Sequence, residues 1–329
     1  MSTESLSISV VVSNLNGARY LTRLLDSVIS QDGVDTEIIV VDRQSTDDSA
    51  EILARYPTVH VVREPPQSGL VAGYSAGAAV ATRPLLFFCN EDLYLGEHCL
   101  RDLASRIDLE KRVAASDPWQ WTYDGRQWLH GGTRFRPSPW HIYSPFPFRM
   151  HEFTVPLRDG APIPFGCAGA VMIAASVYRE LGGWDTSFFL DYEDVDLFLR
   201  AWQRDWTCVS VPDAHVYHDV GASNEQAVAA QPVSRRRYIS HRSNVIVIAF
   251  KYFSPLASTL GALNWVATLI TNILLRRWSA VRMDLRVVGE VARRLPAVIA
   301  FRRRSRALNR AKPGERFFLD PKFSLNGSR

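Results

Sequence analysis

The first ninety residues alternate between two apolar patterns, and this alternation restricts the fold more than any other feature of the sequence. Short continuous apolar runs are typical of strands buried on both faces. They occupy residues 7–14, 36–42, 59–64 and 84–90. Between them the spacing is helical; Leu21, Leu24, Leu25 and Val28, for example, fall on one helix face. The alternation predicts an α/β fold with a mostly parallel sheet covered on both faces.

The bulk composition is that of a globular protein, with 47% hydrophobic and 22% charged residues. A chain of 329 residues is long enough for one large domain or for a domain with an appendage. The four cysteines lie far apart without zinc-ligand spacing, so we expect no disulfide framework or structural zinc, and a reducing cytoplasm fits best. The N-terminal segment lacks the pattern of a secretory signal.

The patterns after residue 116 are weaker. Residues 117–160 are rich in Trp, Pro and Gly without clear periodicity. We interpret them as an irregular segment that lines or covers a site, or as a loop pinned by aromatic side chains to its own core. The later predicted elements are a strand within 162–175, a short helix ending at Gly182, a helix with an acidic start over 191–205, and a strand and loop holding His215 and His218.

Acidic and amide side chains directly follow two of the predicted strands. Asp42 ends the second strand, and Asn90, Glu91 and Asp92 follow the fourth. Parallel sheets bind ligands at the carboxyl ends of their strands, so we expect these side chains at one edge. A carboxylate there could hold Mg²⁺ or Mn²⁺ together with substrate phosphates. Asp42 could accept hydrogen bonds from a base or a sugar.

Both positions also have plainer explanations. Polar residues are usual where a strand passes into a loop, which would account for Asn90 and its neighbours. Asp42 could instead cap the helix that follows, although Ser45 and Asp47 are already placed for that role.

Four acids crowd within six residues at the acidic helix start: Asp191, Glu193, Asp194 and Asp196. The helix dipole explains one or two of them, since it stabilises a nearby negative charge by about 0.3–1 kcal/mol, but four like charges repel. The dipole would also keep a carboxylate ionised, as a general base must be. His218 could bind a metal or a phosphate, or it could be structural.

Five segments in the same order resemble family 2 glycosyltransferases, especially the rhamnosyltransferase-like bacterial branch that builds cell-wall and surface polysaccharides. These segments are residues 7–31, 37–49, 64–93, 166–206 and 218–223. The resemblance covers roughly residues 7–225. It implies a GT-A-like, doubly wound α/β fold, with a nucleotide-sugar-binding catalytic domain over 1–230 and a helical, basic C-terminal extension over 231–329.

The resemblance also implies roles for individual residues. Asp194 matches the catalytic base, and the acceptor-binding positions are Glu193, Phe188 and Phe189. The nucleotide-sugar-binding positions are Ser13, Asn14, Asp42, Gly69, Asn90, Glu91 and Gly169. The divalent cation, Mg²⁺ or Mn²⁺, would be bound by Asp92 and His218.

The chain departs from the family pattern at Asn90, where the usual Asp-x-Asp motif has its first acid. The metal would then depend on Asp92, assisted by Glu91 or His218, and its requirement could be weak or absent. In an inverting transfer, Asp194 would take the proton of the acceptor hydroxyl as that hydroxyl attacks the anomeric carbon. A positioned base is typically worth about 10²–10⁴-fold in rate.

The C-terminal part of the chain differs in net charge from the rest of the sequence. Residues 276–312 carry twelve Lys and Arg against two acids, whereas residues 1–275 have a net charge of −7. Such a basic segment suits an anionic membrane surface. We do not expect nucleic-acid binding, because the basic run lacks interleaved aromatics or a recognisable module.

An apolar stretch of about thirty residues precedes this basic segment. Pro255 and a polar stripe on this stretch favour a helix lying in the membrane interface over a helix spanning the bilayer. The polar stripe consists of Asn264, Thr268, Thr271 and Asn272. Alternatively, the helix packs on the catalytic domain or mediates a homo-oligomer, and the arginines form a solvated face.

Together these features predict an inverting glycosyltransferase on the cytoplasmic membrane face that uses a nucleotide-diphosphate sugar and a lipid-linked or polysaccharide acceptor. Rhamnose as the sugar is an analogy to the family branch. One alternative is a sugar nucleotidyltransferase, although its glycine-rich, lysine-containing signature is missing after the first strand. The other is a sugar-nucleotide-binding subunit without turnover, which Asn90 makes credible.

Overall fold

The computed structural model describes residues 6–65, 69–138, 149–219, 231–307 and 314–324. The strands are β1 Leu6–Asn14, β2 Val34–Asp42, β3 His60–Arg63, β4 Leu85–Asn90, β5 Leu93–Leu95, β6 Val113–Thr122, β7 Trp128–His130, β8 Thr133–Ser138, β9 Arg149–Thr154, β10 Pro162–Ile163, β11 Ala170–Ala174 and β12 Thr207–His218. The helices are α1 Ala18–Ile29, α2 Ser49–Leu53, α3 Gly69–Val80, α4 Cys99–Ser105, α5 Ala175–Leu181, α6 Glu193–Trp202, α7 Gln231–Tyr252, α8 Pro255–Leu274, α9 Trp278–Ala307 and α10 Glu315–Phe318.

The main sheet has the strand order β10-β12-β6-β11-β4-β1-β2-β3. Strands β3, β2, β1 and β4 are parallel and form the half that the sequence alternation predicts. Strand β11 lies antiparallel to both β4 and β6, and β6 is parallel to β12. The chain therefore runs in one direction in β1, β2, β3, β4, β6 and β12, and all six end at the same edge, called the carboxyl edge below.

The core lies in two layers, one on each face of the sheet. Val10 of β1 packs with Leu21 and Leu25 of α1 on one face, and Val11 packs with Tyr74 of α3 on the other; all five are buried. Burying each large apolar side chain stabilises the fold by about 1.5–3 kcal/mol relative to exposure. The predicted α/β fold with a mostly parallel sheet and a helical C-terminal part is confirmed.

The prediction of an irregular segment over 117–160 is wrong for its described residues, which contribute to strands β6 to β9. Residues 139–148 lie outside the described part. Contacts between separate strands hold this segment: the Trp119 and Trp128 rings lie 5.5 Å apart, and Trp119 Nε1 donates to Ser210 Oγ at 3.2 Å. Local spacing in the sequence does not report such contacts.

The predicted loop holding two histidines is also a strand. His215 and His218 belong to β12, which continues past an irregularity between Val211 and His215 and pairs with β6 up to Thr122. Most of the remaining motif, residues 220–223, lies outside the described part, as does residue 230 at the predicted domain boundary.

Helix α7, which precedes the predicted interfacial helix, packs on the N-terminal α/β part of the chain. Lys251 of α7 is buried and forms ion pairs with Asp196 of α6 and Asp185. Tyr252 donates to the same Asp196 carboxylate at 2.6 Å. The division into two domains stays a prediction.

Helix α8 presents an apolar face to the outside. It is the one described helix that is long and apolar enough to cross a membrane, with a mean hydropathy of 1.3, and 24% of it is buried. Leu256, Leu263 and Leu274 are exposed by 71%, 60% and 76%. Part of the polar stripe faces the protein instead, because Thr268 is buried and Asn272 donates to Asp284 of α9 at 3.0 Å.

Candidate active site

The register of β1 places two pairs of polar residues side by side at the carboxyl edge. Asn14 is opposite Asp42 across β1 and β2, and Ser13 is opposite Asn90 across β1 and β4. Ser13, Asn14 and Asp42 are buried, and Asn90 is half-buried. The sheet thus brings together four of the residues that the sequence predicts to bind a nucleotide sugar.

Three neighbours hold the Asp42 carboxylate. Its Oδ1 accepts from Asn14 Nδ2 at 3.0 Å and from Ser45 Oγ at 2.6 Å, and its Oδ2 forms an ion pair with Arg63. The Arg63 side chain is 59% exposed, so a base or sugar that reaches Oδ2 displaces a solvated arginine. Because Asp42 itself is fully buried, a ligand would reach Oδ2 only after Arg63 moves aside.

The helix caps differ in part from the prediction. Asp47 accepts from the backbone N–H of Ser49 at 3.1 Å, at the start of α2, and from that of Ala18 at 2.9 Å, at the start of α1. The capping role predicted for Ser45 is wrong, because its hydroxyl donates to Asp42. Ser45 thus belongs to the site and holds its carboxylate.

The side-chain amide nitrogen of Asn90 faces Gly169, while its oxygen is already hydrogen-bonded. Its Oδ1 accepts from the Tyr74 hydroxyl at 2.7 Å, which also donates to the Ala168 carbonyl at 2.9 Å. A Cβ on Gly169 would lie 3.5 Å from Asn90 Nδ2 and 3.8 Å from His218 Cε1. Since the Asn90 oxygen is engaged by a buried hydroxyl, its amide suits donation to a sugar hydroxyl better than binding to a metal.

Asp92 and His218 meet at the ends of β4 and β12. Asp92 Oδ1 lies 3.0 Å from His218 Nε2, and His218 Nδ1 lies 3.2 Å from Gln120 Oε1. If Nδ1 donates to the Gln120 oxygen, Nε2 is left without a proton opposite a carboxylate, and two acceptors face each other. A cation shared by the two resolves this conflict, so the donor set fits a divalent metal completed by phosphate oxygens. Among the described residues no group of three or more His, Cys, Asp or Glu forms a metal cage.

The sequence analysis does not identify a buried arginine, Arg43, at the same edge of the sheet. Arg43 is 9% exposed, and its Nε has no hydrogen-bond partner in the described part of the chain. Burial and then the Asp92 charge raise the pKa of the half-buried Glu91 to about 7, and Arg43 partly opposes this rise. In the sequence, only its place directly after the strand-terminal Asp42 distinguishes Arg43. A buried guanidinium suits a ligand with phosphate groups.

Strained backbone precedes the predicted catalytic base. Asp191 and Tyr192 have φ angles of 69° and 66°, in the left-handed region, which costs about 1–2 kcal/mol per residue. Helix α7 holds this turn: Asn244 Nδ2 donates to the carbonyls of Asp191 at 2.7 Å and Leu190 at 2.9 Å, and Ser240 Oγ donates to Leu190 at 2.7 Å. Backbone strain fixed by surrounding contacts is common at functional sites.

Three carboxyl groups lie close together where α6 begins. Glu193 is buried, and burial followed by the Asp194 charge raises its pKa well above the ordinary range. Burial raises the pKa of Asp117 in the same way; its Oδ1 accepts from the Cys167 N–H at 2.8 Å, and the Asp194 charge adds to the rise. Half-buried Asp194 accepts from the Val195 N–H at 2.7 Å, at the positive end of α6. Burial thus disfavours the charge on two carboxyls, and the third lies in a position that favours charge.

Asp117 is a site residue that the sequence analysis missed. Its Oδ2 has no hydrogen-bond partner among the described residues, and His130 Nδ1 lies 3.7 Å from it. Burial lowers the pKa of His130 to about 4, so this ring is uncharged near neutral pH and does not neutralise the carboxylate. The available signal was an Asp that ends the apolar run of β6, the same pattern that draws attention to Asp42.

The other two acids of the four-acid cluster have structural partners. Asp196 is fully buried between Arg200, with Oδ2 to Nη2 at 2.7 Å, and Lys251. Burial opposes ionisation of Asp191, but His241 and then Arg237 outweigh it and hold its pKa below the ordinary range. Of the four acids at this helix start, Asp191 and Asp196 therefore form structural ion pairs, and Glu193 and Asp194 remain as candidate site residues.

The two predicted acceptor-binding phenylalanines have different surroundings. Phe188 is 1% exposed, with the Arg294 guanidinium 4.7 Å from its ring centre, so this placement contradicts a role in lining an open pocket. Phe189 is half-buried, and the Arg236 guanidinium lies 3.6 Å from its ring centre. A Cβ on Gly69, where φ is +80°, would come within 2.6 Å of the Phe189 ring. Gly69 therefore lets Phe189 close against the start of α3.

Comparison with known proteins defines the class of this α/β protein. Residues 9–182, more than half of the chain, match the family described as Glycosyl transferase family 2. The chain belongs to glycosyl transferase family 2, which confirms the resemblance seen in its motifs.

The chain is also similar to particular proteins. An uncharacterized protein of Mycobacterium tuberculosis is 27% identical over 294 residues, which cover 86% of this chain and 85% of that protein. The N-acetylglucosaminyl-diphospho-decaprenol L-rhamnosyltransferase of the same organism is 23% identical over 298 residues, 82% of this chain and 94% of that one. The fold is similar to that of GalNAc-T7, solved with UDP, GalNAc and Mn²⁺, with a TM-score of 0.59, 20% identity and coverage of 77% of this chain and 49% of that one.

Proposed function

We propose that this family 2 glycosyltransferase is an inverting enzyme that moves a sugar from a nucleotide-diphosphate sugar to a hydroxyl of a lipid-linked or polysaccharide acceptor. The observation that carries the proposal is the position of Asp194. It is the half-buried carboxyl at the start of α6, beside Glu193 and Asp117, whose pKa values burial raises well above the ordinary range.

In this proposal the chain's residues divide the work by charge. Asp194 takes the proton from the acceptor hydroxyl as that oxygen attacks the anomeric carbon and the bond to the diphosphate breaks. Asp42 accepts from the base or ribose through Oδ2, and the Asn90 amide donates to the sugar. Buried Arg43 supplies fixed positive charge to the departing nucleoside diphosphate, whose charge grows in the transition state.

A divalent cation, Mg²⁺ or Mn²⁺, fits the pair of Asp92 and His218. When bound there it supplies positive charge to the phosphate oxygens of the leaving group. Mn²⁺ in the solved structure of GalNAc-T7 supports this assignment. Removal of divalent cations by EDTA should lower turnover, and an Asp92→Asn variant should need a higher Mn²⁺ concentration for half-maximal rate. Equal Mn²⁺ dependence of variant and wild type would contradict the assignment.

The rhamnosyltransferase among the relatives supports rhamnose as the sugar and a glycosyl diphosphate lipid as the acceptor, in cell-wall or surface-glycan synthesis. The exposed apolar face of α8 and the basic helix α9 support attachment to the inner face of the cell membrane. The experiment is a panel of sugar nucleotides, including dTDP-rhamnose, assayed for nucleoside diphosphate release with and without a lipid-linked acceptor. Acceptor-dependent release supports transfer. Binding of a sugar nucleotide without any release would instead support the subunit without turnover.

A further inference from the structure

An arginine-lined cavity lies between helices α7 and α9, outside the nucleotide-sugar site. Its volume is about 860 Å³, the size of a ligand pocket. The charged residues in its lining are Arg235, Arg236, Arg286, Arg293, Arg294 and Glu290. The lining therefore carries a large surplus of positive charge.

The charges within the cavity are only partly compensated. Glu290 binds Arg293 through two hydrogen bonds, of 2.6 and 3.1 Å. Arg294 is 4% exposed, and its hydrogen bonds go to the neutral oxygens of Asn244 at 2.6 Å and Ser187 at 3.2 Å. A guanidinium that is removed from water and bonded to neutral groups is stabilised by an anion nearby.

The cavity borders the turn that precedes the catalytic base. Ser240 and Asn244 line it, and the same two side chains donate to the carbonyls before Asp194. Phe189 also lines the cavity, under Arg236, while its other neighbour is Gly69 at the start of α3. A molecule in the cavity is thus separated from the nucleotide-sugar side by the loop that bears Phe189.

We propose that this cavity binds the diphosphate of a lipid-linked acceptor. The inference rests on the proposed function and adds the chemical group by which the acceptor is recognised. A diphosphate offers several charged oxygens, which guanidinium groups bind with paired hydrogen bonds. A sugar attached to that diphosphate would lie toward the loop holding Asp194, and the lipid chain would lie against the apolar helices of the extension. A cavity that contacts the catalytic loop suits a substrate group better than the headgroups of a flat leaflet.

Direct binding tests the proposal without any need for transfer. The probe is farnesyl diphosphate, titrated calorimetrically into the full-length wild type, into Arg235→Gln/Arg286→Gln and into the matched control Arg282→Gln/Arg303→Gln. All four arginines are exposed, and the control pair removes the same charge from outside the cavity lining. The cavity variant should raise the dissociation constant about tenfold or more, and the control by less than about twofold. Equal weakening in both variants, or none in either, would overturn the proposal.

Two further probes separate the sources of phosphate. Inorganic pyrophosphate should compete with farnesyl diphosphate in the wild type. Vesicles of phosphatidylglycerol and phosphatidylcholine should bind both double variants equally, because the two have the same net charge. If vesicle binding is lost in the cavity variant alone while farnesyl diphosphate binding is kept, the cavity contacts the leaflet and the proposal fails.

Failure of the diphosphate site can be distinguished from failure of the proposed function. Cavity-dependent binding of farnesyl diphosphate in a protein that releases no nucleoside diphosphate would support the diphosphate site and contradict the enzyme. Transfer that proceeds with an unchanged KM for the lipid-linked acceptor in the cavity variant would support the enzyme and overturn the diphosphate site.

Discussion

Asn244 of α7 donates from Nδ2 to the backbone carbonyl of Asp191, 2.7 Å away and three residues before Asp194. The C-terminal extension therefore holds the turn that presents the proposed base. Arg294 of α9 fixes the same amide through its Oδ1, at 2.6 Å. The two helices that the sequence sets apart as a basic appendage thus reach the catalytic part of the molecule.

Replacing Asn244 with Ala should lower kcat and leave the KM for the nucleotide sugar unchanged. The change removes two hydrogen bonds to a left-handed turn, and a buried group left without its partner costs about 1–3 kcal/mol. Relaxation of the turn would move Asp194 away from the acceptor hydroxyl. Steady-state kinetics check this, with Asn272→Ala as the control, because that side chain bonds only to Asp284 within the extension. A normal kcat in the Asn244 variant would contradict the role of α7.

Arg43→Met should weaken binding of the nucleotide sugar. A charge-assisted pair between a guanidinium and a diphosphate is worth enough to raise the dissociation constant about tenfold when it is lost. Calorimetric titration with the donor nucleotide diphosphate measures the effect. Arg55→Met, at an exposed position two residues after the end of α2, should bind as the wild type does. Equal affinities in all three proteins would remove Arg43 from the site.

The ligand-free protein should lose stability with rising pH through Glu91. Its pKa is raised from 4.5 to about 7 in the folded state, so the folded state binds more protons between these values. Stability then falls as pH rises through this window, and the cost is fully present above it. Glu91→Gln should therefore be more stable than the wild type at about pH 8, by roughly 3 kcal/mol, and should equal it at about pH 4.

Chemical denaturation at the two pH values measures this difference in the free energy of unfolding. Glu97→Gln is the control, since that side chain is exposed and lies six residues further along the chain. A stability gain for Glu91→Gln that is the same at both pH values would contradict the proposed protonation.

The parallel half of the sheet could be predicted from the sequence because each of its strands is a continuous apolar run next to an amphipathic helix. Asp42 and Asp92 were found for the same reason, since a carboxylate after such a run is conspicuous. Strands β6 to β9 could not be found, because this segment is rich in Pro and Gly and contacts such as that between Trp119 of β6 and Trp128 of β7 join separate strands. Local patterns do not report such long-range pairing.

Residues whose role depends on distant partners were missed. Asp117 and Arg43 look like ordinary polar positions until the sheet buries them, and Asn244 ends a polar run more than fifty residues from Asp191. Lys251, conspicuous in sequence as an interruption of an apolar run, has its explanation in Asp196. Its burial follows from tertiary packing, which the local spacing does not encode.

The most direct test of the proposed mechanism compares two adjacent carboxyls, Glu193 and Asp194. Acceptor-dependent release of nucleoside diphosphate is measured in the wild type, in Asp194→Asn and in Glu193→Gln. Burial raises the pKa of Glu193 and so favours its protonated form, which an amide mimics closely; its variant should stay within about tenfold of the wild type, whereas Asp194→Asn should lose about 10²–10⁴-fold in kcat. Retained turnover in Asp194→Asn together with a large loss in Glu193→Gln would contradict the assignment of the base.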